Sequence, residues 1–244
     1  AAKVPADRID WDEWVDTQKP WTQPPMPAPH SQIYTSGTTG RPKGVRRQPM
    51  TPEQQAVNLA AYRTVFDINP AMRTVVTGPL YHSAPNGYSL ATVRAGGDVI
   101  LQPRFDAEEL LRLIEQERIT HLHMVPTMFV RLLKLPEAMR ARYDVSSLRR
   151  VVHAAAPCPV EVKRAMIEWW GPVIAEYYGA TETGAVVFCT SEEWLSHPGT
   201  VGKPLPGATV RVYSEDGAVL PAGRIGELYM RADYFPEFTY HGRE

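Results

Sequence analysis

Apolar positions along this chain recur in two rhythms that take turns. Short β-branched or apolar runs are followed by longer stretches of helical period. Ser31 to Thr35 reads as a short strand running into a Gly/Thr loop. Pro52 to Phe66 reads as a helix, with Ala56, Leu59, Ala60 and Arg63 spaced for helical faces. Thr74 to Thr77 is a strand, Asn86 to Arg94 a helix and Asp98 to Leu101 a strand. Asp106 opens the clearest helix: it can cap the free amides, Glu109 stands where a capping box needs it, and Leu110, Leu113, Ile114 and Glu117 follow in period. Ile119 to Val125 is a strand, and Pro126 starts a helix over Thr127 to Leu135 at the position proline tolerates. Arg150 to Ala154, Val160 to Trp170 and Val173 to Tyr177 complete the series as strand, helix and strand.

Such alternation predicts an α/β fold, with a mainly parallel sheet covered on both faces. The character changes after Thr183. Ala185 to Cys189, Thr209 to Tyr213 and Glu227 to Arg231 read as strands between turn signals such as Asp216-Gly217, and no helix of any length is evident. The C-terminal end is therefore expected to be a β-rich subdomain. At the other end, Pro20, Pro24, Pro25, Pro27 and Pro29 fix φ and remove amide donors, which predicts an extended linker. The residues before it read as a loop belonging to a preceding subdomain.

Composition narrows the function without naming it. Hydrophobic residues make up 43% and charged residues 22%, as in an ordinary globular protein. With 26 basic and 27 acidic side chains and a net charge of -1, there is no basic footprint for nucleic acid or for an anionic membrane surface. No apolar run approaches the roughly 18 residues of a membrane span. Cys158 and Cys189 lack metal-ligand spacing and read as reduced thiols, which points to a cytoplasmic location. Ala1 to Trp14 resembles neither a signal nor a transit peptide. Oligomeric state leaves no mark in the sequence.

The chemistry concentrates in Tyr34-Thr35-Ser36-Gly37-Thr38-Thr39-Gly40-Arg41-Pro42-Lys43-Gly44. Glycines free the backbone to curl with its N–H groups inward. Thr35, Ser36, Thr38 and Thr39 add four hydroxyl donors, and Lys43 adds a point charge. Such a loop suits a polyphosphate better than it suits a plain solvated turn. It is not a Walker-type loop, which needs Gly before the lysine and a hydroxyl after it; here Pro42 and Gly44 take those places. Downstream lies Tyr177-Tyr178-Gly179-Ala180-Thr181-Glu182-Thr183-Gly184. Tyr178 offers a face for a base, Gly179 a close approach, Thr181 a hydroxyl for phosphate and Glu182 a hard oxygen ligand suited to Mg²⁺. His121 and His123 alternate on one strand face, but no third ligand stands nearby in sequence, so they read as packing or surface residues.

Together these two motifs resemble the signatures of the adenylate-forming family: acyl-CoA synthetases, luciferases and peptide-synthetase adenylation domains. The resemblance extends to His153-Ala154-Ala155-Ala156-Pro157, to Pro79-Leu80-Tyr81-His82-Ser83-Ala84 and to Gly199 through Gly207. It implies three regions: 1–30, a linker and remnant of a preceding subdomain; 31–184, an α/β nucleotide-binding subdomain; 185–244, a truncated β-rich subdomain. It implies that Thr35, Ser36, Gly37, Thr38, Thr39, Gly40 and Lys43 hold the β- and γ-phosphates of ATP. Ala154, Ala155, Ala156, Pro157, Tyr178 and Gly179 would line the adenine slot, Thr181 would bind the α-phosphate and Glu182 would hold Mg²⁺. Lys43, Thr181, Glu182 and His82 would carry the catalysis.

His82, Gly179 and Ala180 would border the acyl pocket, and His153 either projects into that pocket or packs. Acetate-specific relatives carry Trp at the place of Gly179, so glycine implies an open pocket for a medium-chain, long-chain or aromatic acid. No Asp or Glu occurs between Val75 and Gly97 to pair with an amino group, so the acid is expected to lack an α-amine. The implied reaction joins a small carboxylic acid to CoA through an acyl-adenylate. The alternatives are a non-CoA acceptor, or a nucleotide-binding module without catalysis. The family's Thr-Gly-Asp element and its C-terminal lysine have no counterpart here, so the sequence is expected to be an inactive piece of a longer parent enzyme.

Overall fold

The computed structural model describes residues 11–20, 22–24, 31–35 and 42–242. The chain divides into two compact units, Ala1–Ser31 and Gln32–Glu244. In the first, Trp11–Asp16 form a short helix, α1, where a loop was expected. Thr17 Oγ1 donates to the Trp14 carbonyl at 2.7 Å and finishes it. Pro20 and Pro24 lie in irregular backbone; Pro25, Pro27 and Pro29 fall outside the described residues.

In the second unit, the described residues build a seven-stranded sheet. Its strands are β3 (Arg73–Val76), β4 (Asp98–Leu101), β5 (His121–Met124), β6 (Arg150–His153), β7 (Ile174–Ala180), β8 (Gly184–Cys189) and β9 (Lys203–Pro204). The order is β4-β3-β5-β6-β7-β8-β9. The first five run parallel, β8 turns back antiparallel to β7, and β9 is antiparallel to β8. The expected mainly parallel sheet is present. The boundary expected between residues 184 and 185 falls inside β8, which hydrogen-bonds along β7 from Gly184 to Cys189.

Side chains alternate across the strands, and each face carries its own core. Val75, Leu122, Met124, Val151 and Ile174 face one way. They meet α4 (Ala107–Gln116), α5 (Pro126–Leu133) and α7 (Val160–Trp170) through Leu110, Ile114, Phe129, Leu132, Met166 and Trp170. Val152 and Ala175 face the other way and meet Val65, Phe66 and Tyr88 of α2 (Pro52–Phe66) and α3 (Ser83–Arg94). A two-stranded hairpin, β10 (Ala208–Tyr213) and β11 (Glu227–Ala232), packs on that second face through Val210, Met230 and Ala232. A separate three-stranded sheet holds β1 (Ile33–Thr35), β2 (Lys43–Arg47) and β12 (Phe238–Tyr240), with β2 in the middle.

The helix starts follow local chemistry. Thr51 and Gln54 form a reciprocal capping box on α2. Asp106 caps α4 by accepting from the Glu109 amide at 2.8 Å. The box expected there does not close, because the Glu109 carboxylate turns to the Arg112 Nε at 2.7 Å; a charged partner one turn away outcompetes a backbone amide. Two further short helices were not read from the pattern: α6 (Glu137–Arg140) and α8 (Ser191–Ser196). The second falls in the stretch expected to lack helices. It has its own capping box, from Thr190 and Glu193, and it buries Trp194.

His121 and His123 pack, which selects one of the two readings, packing or surface, left open for them. His121 Nε2 lies 3.2 Å from Asp67 Oδ2. His123 Nε2 lies 3.3 Å from the Tyr177 hydroxyl, among the rings of Phe66, Tyr88 and Tyr177. Burial pushes the His123 imidazole down from its ordinary 6.5 to about 4. Between those values the unfolded chain binds a proton that the folded chain refuses. The stabilisation is complete above pH 6.5 and is lost as pH falls toward 4. His123→Gln should therefore flatten the acid limb of a stability–pH profile by about 1.4 kcal/mol per pH unit. Urea midpoints measured from pH 4 to 7 test this, and an unchanged slope would contradict it.

Candidate functional site

In a parallel α/β sheet, loops leaving the carboxyl ends of the strands share one edge, and ligands bind there. Here that edge gathers the loop after β3, which carries His82, the loop after β6, which carries Ala154–Pro157, and the end of β7 with Tyr178–Glu182. The register explains the last pairing. His153 stands opposite Glu176, so the polypeptides of Ala154–Pro157 and of Tyr177–Gly179 leave the sheet side by side. Ala154 is buried, whereas Ala155, Ala156 and Pro157 are exposed. Tyr178 keeps 42% of its surface exposed at this edge, enough to offer a ring face. Ala155 has φ of 75°, a left-handed conformation that an alanine adopts only under local strain.

Thr181 and Glu182 occupy the turn between β7 and β8. The Thr183 hydroxyl fixes that turn by accepting from the Ala180 amide at 3.1 Å. Ser83 Oγ and Thr181 Oγ1 lie 3.0 Å apart. This contact joins the start of α3, directly after the loop that follows β3, to the β7–β8 turn across the ends of β5 and β6, and so brings the His82 region to Thr181. His82 itself is exposed and packs at a tilt against Tyr81, with ring centroids 4.6 Å apart.

The phosphate loop bridges β1 and β2, which pair antiparallel with Thr35 opposite Lys43. Ser36, Gly37, Thr38, Thr39, Gly40 and Arg41 lie outside the described residues. Their anchor, β2, is described and points to the same turn. Arg47 Nη2 donates to the Thr181 carbonyl. Lys43 Nζ sits 5.2 Å from the centroid of the Tyr240 ring, whose hydroxyl donates to Glu182 Oε1 at 3.0 Å. Tyr240 thus stands between the two charged residues expected to share the site. Its hydroxyl is pushed up, first by burial and then by the Glu182 carboxylate. Arg47 is stacked 4.8 Å from the Phe235 ring centroid; burial lowers its pKa, against the opposing pull of Tyr62 and Glu182.

Arg47 and Tyr240 were not read from the sequence. Ser83 stood inside the Pro79–Ala84 element, but no role was assigned to it. Arg47 and Tyr240 reach the site only because β2 and β12 pair, with Tyr240 opposite Val45, a contact between residues nearly the whole unit apart in sequence.

For His153 one of its two readings is selected, and for Gly179 the expectation changes. His153 does not line a pocket: it is fully buried, edge-on to Phe129 with centroids 5.4 Å apart, and 3.4 Å from Glu176 Oε2. It faces the core because position 153 shares the inward side of β6 with Val151. Nor does Gly179 leave space for an acid in the direction a side chain would take. A Cβ there would meet the Gly184 carbonyl oxygen at 1.9 Å. The β7–β8 register shifts between Tyr178 and Gly179, and glycine allows the two backbones to close on each other. Ala180 is exposed at the end of β7.

A hydroxyl- and glycine-rich loop anchored beside a Thr-Glu turn, at the open edge of a parallel sheet, defines an α/β nucleotide-binding domain of adenylate-forming type. The chain belongs to the AMP-binding enzyme family, which it matches over residues 3–235. It is 33% identical over 199 residues to the medium/long-chain-fatty-acid–CoA ligase FadD8 of Mycobacterium tuberculosis, covering 80% of this chain and 34% of that protein. Among solved structures it is similar to ATP-bound MatB from Rhodopseudomonas palustris, at 29% identity and a TM-score of 0.69, covering 84% of this chain and 40% of that one. It is also similar to the amide bond synthetase McbA from Marinactinospora thermotolerans, at 29% identity and a TM-score of 0.70, covering 83% and 40%. The chain thus spans between 33% and 42% of the length of the curated relatives it matches.

Gly179→Ala should destabilise the protein by about 2 kcal/mol or more, because backbone must move to admit one methyl. Chemical denaturation of the variant checks this. A loss under about 0.5 kcal/mol would mean that the hairpin is not closed at that point.

Proposed function

We propose that the protein carrying this sequence uses ATP to activate a carboxylic acid as an acyl-adenylate and then transfers the acyl group to the thiol of CoA. The observation that carries this reading is the convergence on one turn. Thr181 takes a hydroxyl contact from Ser83 beside His82 and a guanidinium contact from Arg47 on the strand that begins at Lys43. Three sequence-distant elements are thereby committed to the same few ångströms.

In this reading, a carboxylate oxygen of the acid attacks the α-phosphorus and the bond to the β-phosphate breaks, releasing pyrophosphate. Lys43 and the hydroxyls of Thr35, Ser36, Thr38 and Thr39 hold the departing phosphates, and their positive and donor character favours the charge that grows there. The Thr181 hydroxyl, freed from Ser83, binds an α-phosphate oxygen. Tyr178 and Ala154–Pro157 form the two sides of the adenine slot. His82 borders the acid near the α-phosphate. CoA sulfur then attacks the acyl carbon and AMP leaves.

Glu182 suits Mg²⁺: it is a carboxylate in the turn beside Thr181, with one oxygen engaged by Tyr240, and a hard oxygen ligand of the kind that ion takes together with phosphates. When bound, the ion would supply positive charge to the leaving pyrophosphate. The acid would lack an α-amine, since Val75 to Gly97 offers no carboxylate to an ammonium group, and the similarity to a fatty-acid–CoA ligase supports a fatty acid. The similarity to an amide bond synthetase supports a second acceptor class, an amine in place of CoA.

Acid-dependent exchange of pyrophosphate into ATP by the full-length protein tests the first half-reaction. Fatty and aryl acids should support exchange and amino acids should not. Thr181→Ala or Glu182→Gln should lower exchange by about 100-fold, with the fold retained by circular dichroism. No exchange with any acid in the presence of Mg²⁺ would overturn the reading. Product analysis with CoA and with a simple amine decides the acceptor.

A further inference from the structure

Beneath the carboxyl edge of the sheet lie three buried ionisable side chains that the proposed chemistry does not use. Lys163 of α7 is fully buried and donates from Nζ to Glu176 Oε2 of β7 at 2.6 Å. Its ammonium sits 5.2 Å from the Trp194 ring centroid. His153, the last residue of β6, is also fully buried, with Nε2 3.4 Å from the same carboxylate oxygen. Neither of its ring nitrogens completes a hydrogen bond. Burial first, and then Lys163 and His123, hold that imidazole well below its ordinary titration range, so it is neutral beside the ion pair.

Apolar side chains stand beside them: Phe129 edge-on to His153, Trp194 under the Lys163 ammonium, and Cys189 opposite Glu176 on β8. Aliphatic side chains would fill this space without the desolvation that a buried ion pair must overcome. What the pair adds is direction, because a charge-assisted hydrogen bond admits one geometry where apolar contacts admit several. Its place in the chain gives that direction a use. His153 directly precedes Ala154. Lys163 lies in the first turn of the helix that directly follows the 154–159 loop. Glu176 stands two residues before Tyr178 on the neighbouring strand.

We propose that the Lys163–Glu176 pair, with His153 packed against it, is a positioning group that fixes the separation between Ala154–Pro157 and Tyr178, the two sides of the adenine slot in the reading above, on which this inference rests. None of the three touches the nucleotide. They act through the loop and the strand that do.

The test uses the full-length protein. Lys163→Met alone strands a buried carboxylate and should lower both Tm and apparent ATP affinity. The double variant Lys163→Met with Glu176→Leu removes both charges and should recover Tm to the parent value or above it. Its KM for ATP should nevertheless stay raised by about tenfold, with KM for the acid within about twofold of the parent. Glu176→Gln, which keeps an acceptor oxygen for Lys163, should hold KM for ATP within about threefold even where Tm falls. KM for ATP returning to the parent value in the double variant would overturn the proposal, as would a tenfold rise in Glu176→Gln that follows its loss of Tm. Direct calorimetric titration of ATP into parent and double variant separates this inference from the reading of function. A parent that binds ATP but exchanges no pyrophosphate refutes the reaction alone. A double variant that binds ATP as tightly as the parent refutes the positioning role alone.

Discussion

The parallel register of β6 and β7 is the constraint on which the site depends. With His153 opposite Glu176, the alanine-rich loop and the Tyr178–Glu182 segment have to emerge as neighbours about one strand spacing apart. Everything else at the edge is placed relative to that pair. The β7–β8 turn folds back because Gly179 and Gly184 allow backbone to press on backbone, and the turn presents Thr181 and Glu182 to the loops that come to meet them. A side chain at Gly179 would press on the Gly184 carbonyl and strain the hairpin that presents the turn.

Around this edge the molecule builds connections of two kinds. At the open edge, single half-buried polar contacts tie distant elements to the turn: Ser83 from the start of α3, Arg47 from β2 and Tyr240 from β12. In the interior, Lys163, Glu176 and His153 sit among aromatic and sulfur side chains, where nothing competes for their partners. The distinction follows from dielectric: the same charges interact weakly where water reaches them and strongly where it does not. A site that has to exchange ligands while keeping its shape combines a wet upper layer with a dry lower one.

Most of the α/β framework was legible from the residues. The helices Pro52–Phe66 and Val160–Trp170 and the strand Asp98–Leu101 coincide with their sequence reading, since apolar period and turn residues are local signals. What escaped were elements without a local signal. β2 carries Lys-Gly-Val-Arg-Arg and is a strand because β1 and β12 flank it. α8 is a single capped turn and a half, anchored by one buried tryptophan. The Glu109 carboxylate had two possible partners, and the sequence did not rank them.

The residue types at the site were set by the sequence alone. A hydroxyl-rich glycine loop ending in lysine, a Tyr-Gly-Ala-Thr-Glu turn and a small-residue loop ending in proline each carry their chemistry in their own side chains. Tertiary structure decided which way those side chains face and what stands beside them. His153 could read as a pocket residue until strand alternation turned it into the core, and Gly179 could read as empty space until β8 filled it. Arg47 and Tyr240 carried no motif at all, because a hydrogen bond between residues 134 or 58 positions apart leaves no trace in either local sequence. Composition and period are properties of neighbours along the chain, whereas a binding site is a property of neighbours in space.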